Sequence, residues 1–102
     1  QGDVGSGKTI VSLLAIANII ESGYQCALMG PTEILTRQHF ELAKKIFKNT
    51  NFKLDFITGK TDTNKKKKIL INLEEGKINL LIGTHALFQK KIKKVETIVM
   101  FF

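Results

Sequence analysis

Apolar residues recur along this chain in two alternating rhythms. Over residues 8–22 the positions Val11, Leu14, Ala15 and Ile19 fall at helical spacing. Ile10, Leu13, Ile16, Ala17 and Ile20 widen that stripe until little polar face remains. The pattern predicts a largely buried helix, stopped at Gly23. A continuous apolar run over residues 24–29 then ends at Gly30-Pro31, as a strand covered on both faces would. Thr32 is placed to cap a second helix that reaches about Lys48. Its apolar positions Leu35, Phe40, Ala43, Ile46 and Phe47 share one flank, with Arg37, Glu41, Lys44, Lys45 and Lys48 elsewhere. Residues 49–51 read as a turn. Residues 52–58 alternate apolar and polar, which predicts a strand nearer a sheet edge, broken by Gly59. A third helix is predicted over residues 63–75, closed by Gly76. A buried strand over residues 79–82 follows and ends in Gly83-Thr84-His85. A short helical turn over 86–89, a basic loop over 90–94 and a last apolar strand over 97–102 complete the chain.

Helices and strands that alternate in this way imply right-handed crossovers. The predicted class is α/β: a mostly parallel sheet with helices on both faces, formed by one domain over residues 1–102. Ligands of such folds gather at the carboxyl ends of the strands. The stretches 30–32, 58–60 and 83–85 therefore belong on one rim, together with the segment that precedes the first helix.

Composition narrows the choice. The chain has 102 residues, 43% hydrophobic and 25% charged, which excludes disorder over its whole length. Its single cysteine, Cys26, allows no internal disulfide and reads as a small buried hydrophobe. No Cys/His spacing suggests zinc. The longest apolar stretch is broken by Ser12 and Asn18 and is too short to span a bilayer. No basic segment precedes an apolar run, so no signal peptide is expected, and the missing initial methionine predicts a piece of a larger protein. The net charge of +7 favours a polyanionic partner. Arg37 is the only arginine, however, and a lysine-rich, arginine-poor composition also arises from biased codon usage. Charge by itself does not assign nucleic-acid binding.

Chemistry enters at the amino end. Gly2-Asp3-Val4-Gly5-Ser6-Gly7-Lys8-Thr9 fits the phosphate-binding P-loop pattern without a gap. Glycines let the backbone curl so that successive amides point at phosphate oxygens. Lys8 would meet the β- and γ-phosphates, and the Thr9 hydroxyl would reach a magnesium ion that bridges them. A helix that starts near Lys8 would direct its positive end at the same anion. Other residues read more plainly. His39 lies inside a helix and suits packing or hydrogen bonding. His85 sits on the rim, where helix-start hydrogen bonding competes with ligand contact. The Lys65-Lys66-Lys67-Lys68 run reads as a solvated helix face or, less simply, a phosphate patch. Asp62, Glu74 and Glu75 read as capping and surface charges.

Four stretches occur in order: QGDVGSGKT, GYQCALMGPTEILTRQHF, ITGK and LLIGTHALFQ. Together they resemble the first motor domain of the RecG family of bacterial ATP-dependent DNA helicases, over nearly the whole chain. The resemblance implies a RecA-like P-loop NTPase fold, ATP and Mg2+ as cofactors, and a cytoplasmic, monomeric motor that acts on forks and junctions in recombination and repair. It implies that Pro31 and Thr32, in a motif Ia, and Gly83, Thr84 and His85, in a motif Ib region, hold the DNA backbone without reading sequence. The turn at Thr58-Gly59-Lys60 would extend that track. Two other readings stand beside this one: a related translocase of transcription-coupled repair, and a nonenzymatic basic module that binds nucleic acid.

The family carries its Walker B acidic pair directly after a strand such as that over residues 97–102. No Asp or Glu follows Glu96 here, so the domain is expected to be truncated at both ends. Hydrolysis needs metal, water-orienting group and arginine finger together. The 102-residue chain is therefore expected to release no measurable phosphate from ATP. DNA-stimulated phosphate release by the purified chain would overturn this.

Overall fold

In the computed structural model, which describes residues 2–84 and 97–101, the chain runs α1 (Gly2–Glu21), β1 (Gln25–Gly30), α2 (Glu33–Ile46), β2 (Leu54–Ile57), α3 (Thr63–Glu74), β3 (Leu80–Thr84) and β4 (Thr97–Phe101). The side chains of residues 2–9 lie outside that description, as do the predicted turn over 86–89 and the basic loop over 90–94. The strands form one sheet in the order β2-β3-β1-β4, with every neighbouring pair parallel. The alternation of helix and strand periods thus ends in the predicted α/β sheet, with the half-polar strand β2 at an edge.

Both faces are covered, and each by its own helices. Cys26 and Leu28 of β1 point to one face with Leu80 and Ile82 of β3, where α1 supplies Leu13, Ile16 and Ile20 and α2 supplies Ala43, with Phe47 just beyond its end. Ala27, Met29, Leu81 and Ile57 point to the other face, where α3 supplies Ile69 and Leu73. This is why β1 and β3 read as unbroken apolar runs: alternate side chains enter two different cores. Each fully buried Leu or Ile stabilises the fold by about 1.5–3 kcal/mol.

Helix ends follow their local chemistry. Gly23 and Gly76 hold φ of +98° and +77°. The next amides, of Tyr24 and Lys77, reach back to the carbonyls of Ile19 and Asn72 at 3.3 and 2.8 Å. Such six-to-one bonds close a helix through a left-handed residue. Thr32 caps α2, its Oγ1 accepting the Leu35 amide at 3.3 Å, and Asp62 caps α3, its Oδ2 accepting the Asn64 amide at 3.1 Å.

Three details depart from the sequence pattern. First, α1 begins at Gly2 rather than near Lys8, so the glycine-rich stretch is helical. Helical hydrogen bonds are the local way to satisfy its amides, although each interior glycine costs about 1 kcal/mol relative to alanine. Second, α1 is not buried all round: Ile10, Val11 and Leu14 are exposed, Val11 at 67%. The sheet buries the stripe through Leu13, Ile16 and Ile20, with Ala17 and Ile19 packed at its margin. Third, the buried residue in the first turn of α2 is Thr36, while Leu35 is 44% exposed. Thr36 packs there because Gly30 leaves room for it, and its hydroxyl donates to the Thr32 carbonyl at 2.5 Å.

Cys26 is fully enclosed, and burial pushes its thiol up from an ordinary 9.0 to about 11, against a smaller opposing effect of the Ala27 backbone. Because the folded state holds this proton more tightly, the linked stability is complete below about pH 9 and is lost as pH rises toward 11. A thiol reagent at pH 8 is expected to modify Cys26 only as fast as the protein unfolds. Immediate labelling of native protein would contradict the burial.

Candidate functional site

Parallel register decides which loops meet. Gly30 of β1 pairs with Thr84 of β3, and Ile57 of β2 pairs with Gly83. The residues that leave these strands, Pro31 and Thr32 after β1 and Thr58 after β2, therefore flank Thr84 on one rim. Three residues, Ser22, Gly23 and Tyr24, connect α1 to β1, so α1 runs back along the sheet with its amino end toward that rim. A helix of 20 residues is about 30 Å long and a strand of six about 20 Å, which carries the first turns of α1 past the strand ends.

Each candidate contact has a distinct environment. Pro31 and Thr32 are exposed. The Thr32 oxygen accepts the Leu35 amide, which leaves its hydroxyl hydrogen for an outside acceptor. Thr84 is half-buried at the tip of β3. Gly83 is buried, and its part in the rim is steric: a Cβ there would lie 2.6 Å from the Ile57 carbonyl oxygen and 2.9 Å from Ile57 Cγ2. His85 lies outside the described residues. For Lys8 and Thr9 only the backbone is described, within α1. In that helical form only the first four amides lack an intrahelical partner, so an anion would find the end of a helix rather than a closed cradle.

The turn after β2 is tied internally. Thr58 is 3% exposed. Its Oγ1 accepts the Lys60 amide at 3.2 Å, and its own amide donates to Thr61 Oγ1 at 3.0 Å. Lys66 reaches back from α3 and donates to the Gly59 carbonyl at 3.0 Å. Of the four-lysine run, Lys66 is thus a structural tether, whereas Lys65, Lys67 and Lys68 are exposed. His39 is half-buried, and burial pushes its imidazole below the ordinary value, as a packing role in α2 implies. Among the described residues no cluster of His, Cys, Asp and Glu could hold a metal ion, and no helix is long and apolar enough to cross a membrane.

A groove of about 410 Å³ opens beside this turn, at the β2 edge of the sheet. Arg37 and Phe40 of α2, Phe56 of β2, and Lys60 and Lys65 line it. The Arg37 guanidinium carbon lies 4.8 Å from the Phe56 ring centre, and Phe56 stacks on Phe40 at 5.2 Å with 22° between planes. These partners are far apart in sequence, so spacing did not single them out. The one available signal was that Arg37 is the only arginine, one turn after Pro31-Thr32-Glu33.

Comparison with known proteins bears on the same features. The family model described as "DEAD/DEAH box helicase" matches residues 1–100. The ATP-dependent DNA helicase RecG of Aquifex aeolicus is 44% identical over 93 residues, covering 91% of this chain and 12% of that protein. RecG of Streptococcus pneumoniae is 47% identical over 93 residues, covering 91% of this chain and 14% of that protein. A solved structure of RecG bound to a three-way DNA junction superposes with a TM-score of 0.76 at 34% identity, covering 93% of this chain and 16% of the other. The chain thus spans about an eighth of the length of the first of these relatives.

Gly83→Ala is expected to part β2 from β3 and destabilise the fold by about 1–3 kcal/mol, the usual range for overpacking a closed site. Gly30→Ala would drive a Cβ into Thr36 Oγ1, which is fully buried and bonded to the Thr32 carbonyl, and should also destabilise the fold. Urea unfolding measures both variants; a Gly83→Ala midpoint equal to that of wild type would remove the steric role given to Gly83.

Proposed function

The chain belongs to the DEAD/DEAH box helicase family, and on that premise we propose that it forms part of the first motor domain of a RecG-like, ATP-driven DNA translocase that remodels forks and junctions. The observation that carries this reading is the register that sets Pro31-Thr32 beside Thr84, at the ends of neighbouring parallel strands. Hydroxyls and amides at such positions suit phosphate oxygens and carry no sequence information. They would position a DNA strand for movement along it. The partner is DNA held by its backbone, and the motor works as a cytoplasmic monomer.

The donor set at the start of α1 fits a nucleotide triphosphate with magnesium in its chemistry. Lys8 would hold the β- and γ-phosphates, Thr9 the metal, and the amides of Gly2, Asp3, Val4, Gly5, Ser6 and Gly7 the remaining phosphate oxygens. Bound nucleotide supplies the free energy of phosphoryl transfer. The chain's own part is to bind and orient it. For the amides to face one anion, the stretch from Gly2 to Gly7 has to leave the helical ladder that it occupies in α1. Its three glycines make that segment the least costly part of α1 to unwind.

Nucleotide binding by wild type and Lys8→Ala, in a protein of the relatives' full length that carries this segment, tests the reading. Loss of a charge-assisted contact of about 1.5–3 kcal/mol predicts at least a roughly tenfold weaker affinity for ATP. Equal affinities would show that Gly2 to Thr9 is no nucleotide site.

A further inference from the structure

We propose that the groove at the β2 edge is a lane for the sugar-phosphate backbone of a nucleic-acid strand, with Arg37 and Lys65 each holding a phosphate. The proposal rests on the reading of the Thr32–Thr84 rim as a DNA track, and it extends that track around the open edge of the sheet.

Arg37 is ordered without being covered. Its guanidinium is held over the Phe56 ring at 4.8 Å, and Phe56 is itself held by Phe40. Glu33 Oε2 sits 3.8 Å from Arg37 Nη2, yet the arginine side chain stays 58% exposed. A guanidinium carries five N–H donors, so one long ion pair leaves most of the fork for an incoming phosphate. Stacking on a ring fixes the plane of that fork at little cost to its hydrogen bonding. Lys65 faces the groove from the first turn of α3. It is exposed and makes no ion pair among the described residues. The neighbouring Lys66 pins that turn of α3 to the Gly59 carbonyl, which fixes where Lys65 emerges.

Three acids also line the groove, and each is already engaged. Glu33 pairs with Arg37. Asp55 Oδ1 accepts the Phe56 amide at 2.9 Å, and Asp62 Oδ2 accepts the Asn64 amide. The local charge is therefore balanced: a strand would be held by placed donors rather than by a general positive field. Thr58 lines the groove and follows Ile57, which pairs with Gly83 next to Thr84, so the groove adjoins the rim and a polymer running along the rim can reach it.

The test is binding of the chain to a short labelled single-stranded oligonucleotide, followed by fluorescence anisotropy over a series of salt concentrations. Arg37→Gln with Lys65→Gln is compared with Lys45→Gln with Lys48→Gln, which removes the same charge from exposed positions of and after α2 outside the groove. Two lost phosphate contacts predict that the slope of log affinity against log salt becomes shallower by about 1.4, at about 0.7 per contact on a single strand. The control pair should change it by less than half as much. Equal changes for the two pairs overturn the groove and leave the rim reading in place. No binding by the wild-type chain overturns both. All four sites are exposed, so a folding defect is not expected, and an unchanged circular dichroism spectrum checks this.

Discussion

Strand β3 has to lie close against two neighbours at once, and the rest of the structure depends on that closeness. On one side it pairs with β1, so that Gly30 meets Thr84. On the other it pairs with β2, where Gly83 passes the Ile57 carbonyl with no room for a side chain. Parallel pairing points every carboxyl end the same way. The three loops that leave these ends are therefore neighbours by construction, although they lie up to 54 residues apart in sequence, from Gly30 to Thr84. The rim needs no specific contact between the loops themselves. It needs the strands beneath them to stay in register.

That register is held by more than the ladder. Gln25, at the start of β1, donates its side-chain amide to the carbonyls of Leu73 and Ile78 at 2.6 and 3.0 Å, which ties β1 to the end of α3. Asn79 Oδ1 accepts the Lys53 amide at 2.7 Å and locks the start of β3 to the approach of β2. Both ties sit at the amino ends of the strands. Among the described residues at the carboxyl ends, Thr32 and Lys60 are exposed. The candidate chemistry lies at the opposite, carboxyl ends, as expected of open α/β sheets.

The sequence makes the elements legible because local rules act on them: period-two and period-3.6 patterns, Thr32 and Asp62 as caps, Gly23 and Gly76 as stops. The edge place of β2 also follows from its half-polar alternation. What spacing does not expose is tertiary pairing. Arg37 reads as one more surface charge until Phe56, from another element, is placed beneath it. Lys66 is indistinguishable from its three lysine neighbours until the Gly59 carbonyl comes within reach. Thr36, a polar residue, is buried because the side-chain-free Gly30 leaves it a seat. In each case the deciding partner lies on a different segment.

The amino-terminal stretch is a different kind of failure, because there two local rules compete. A glycine-rich motif that ends in Lys-Thr asks for a curled loop whose amides converge on an anion. The same amides can be satisfied along a helix, and α1 takes that form from Gly2 onward. Gly5 and Gly7, inside α1, weaken the helix by about 1 kcal/mol each, and an anion at a helix start favours exposed amides. On the proposed reading the glycines would serve both states: they would permit the curl, and they weaken the helical alternative. A sequence with alanines at Gly5 and Gly7 would keep Lys8 and Thr9 and still hold them on a helix that does not readily open. On the proposed nucleotide reading, the motif would require a change of backbone state as well as a set of ligands.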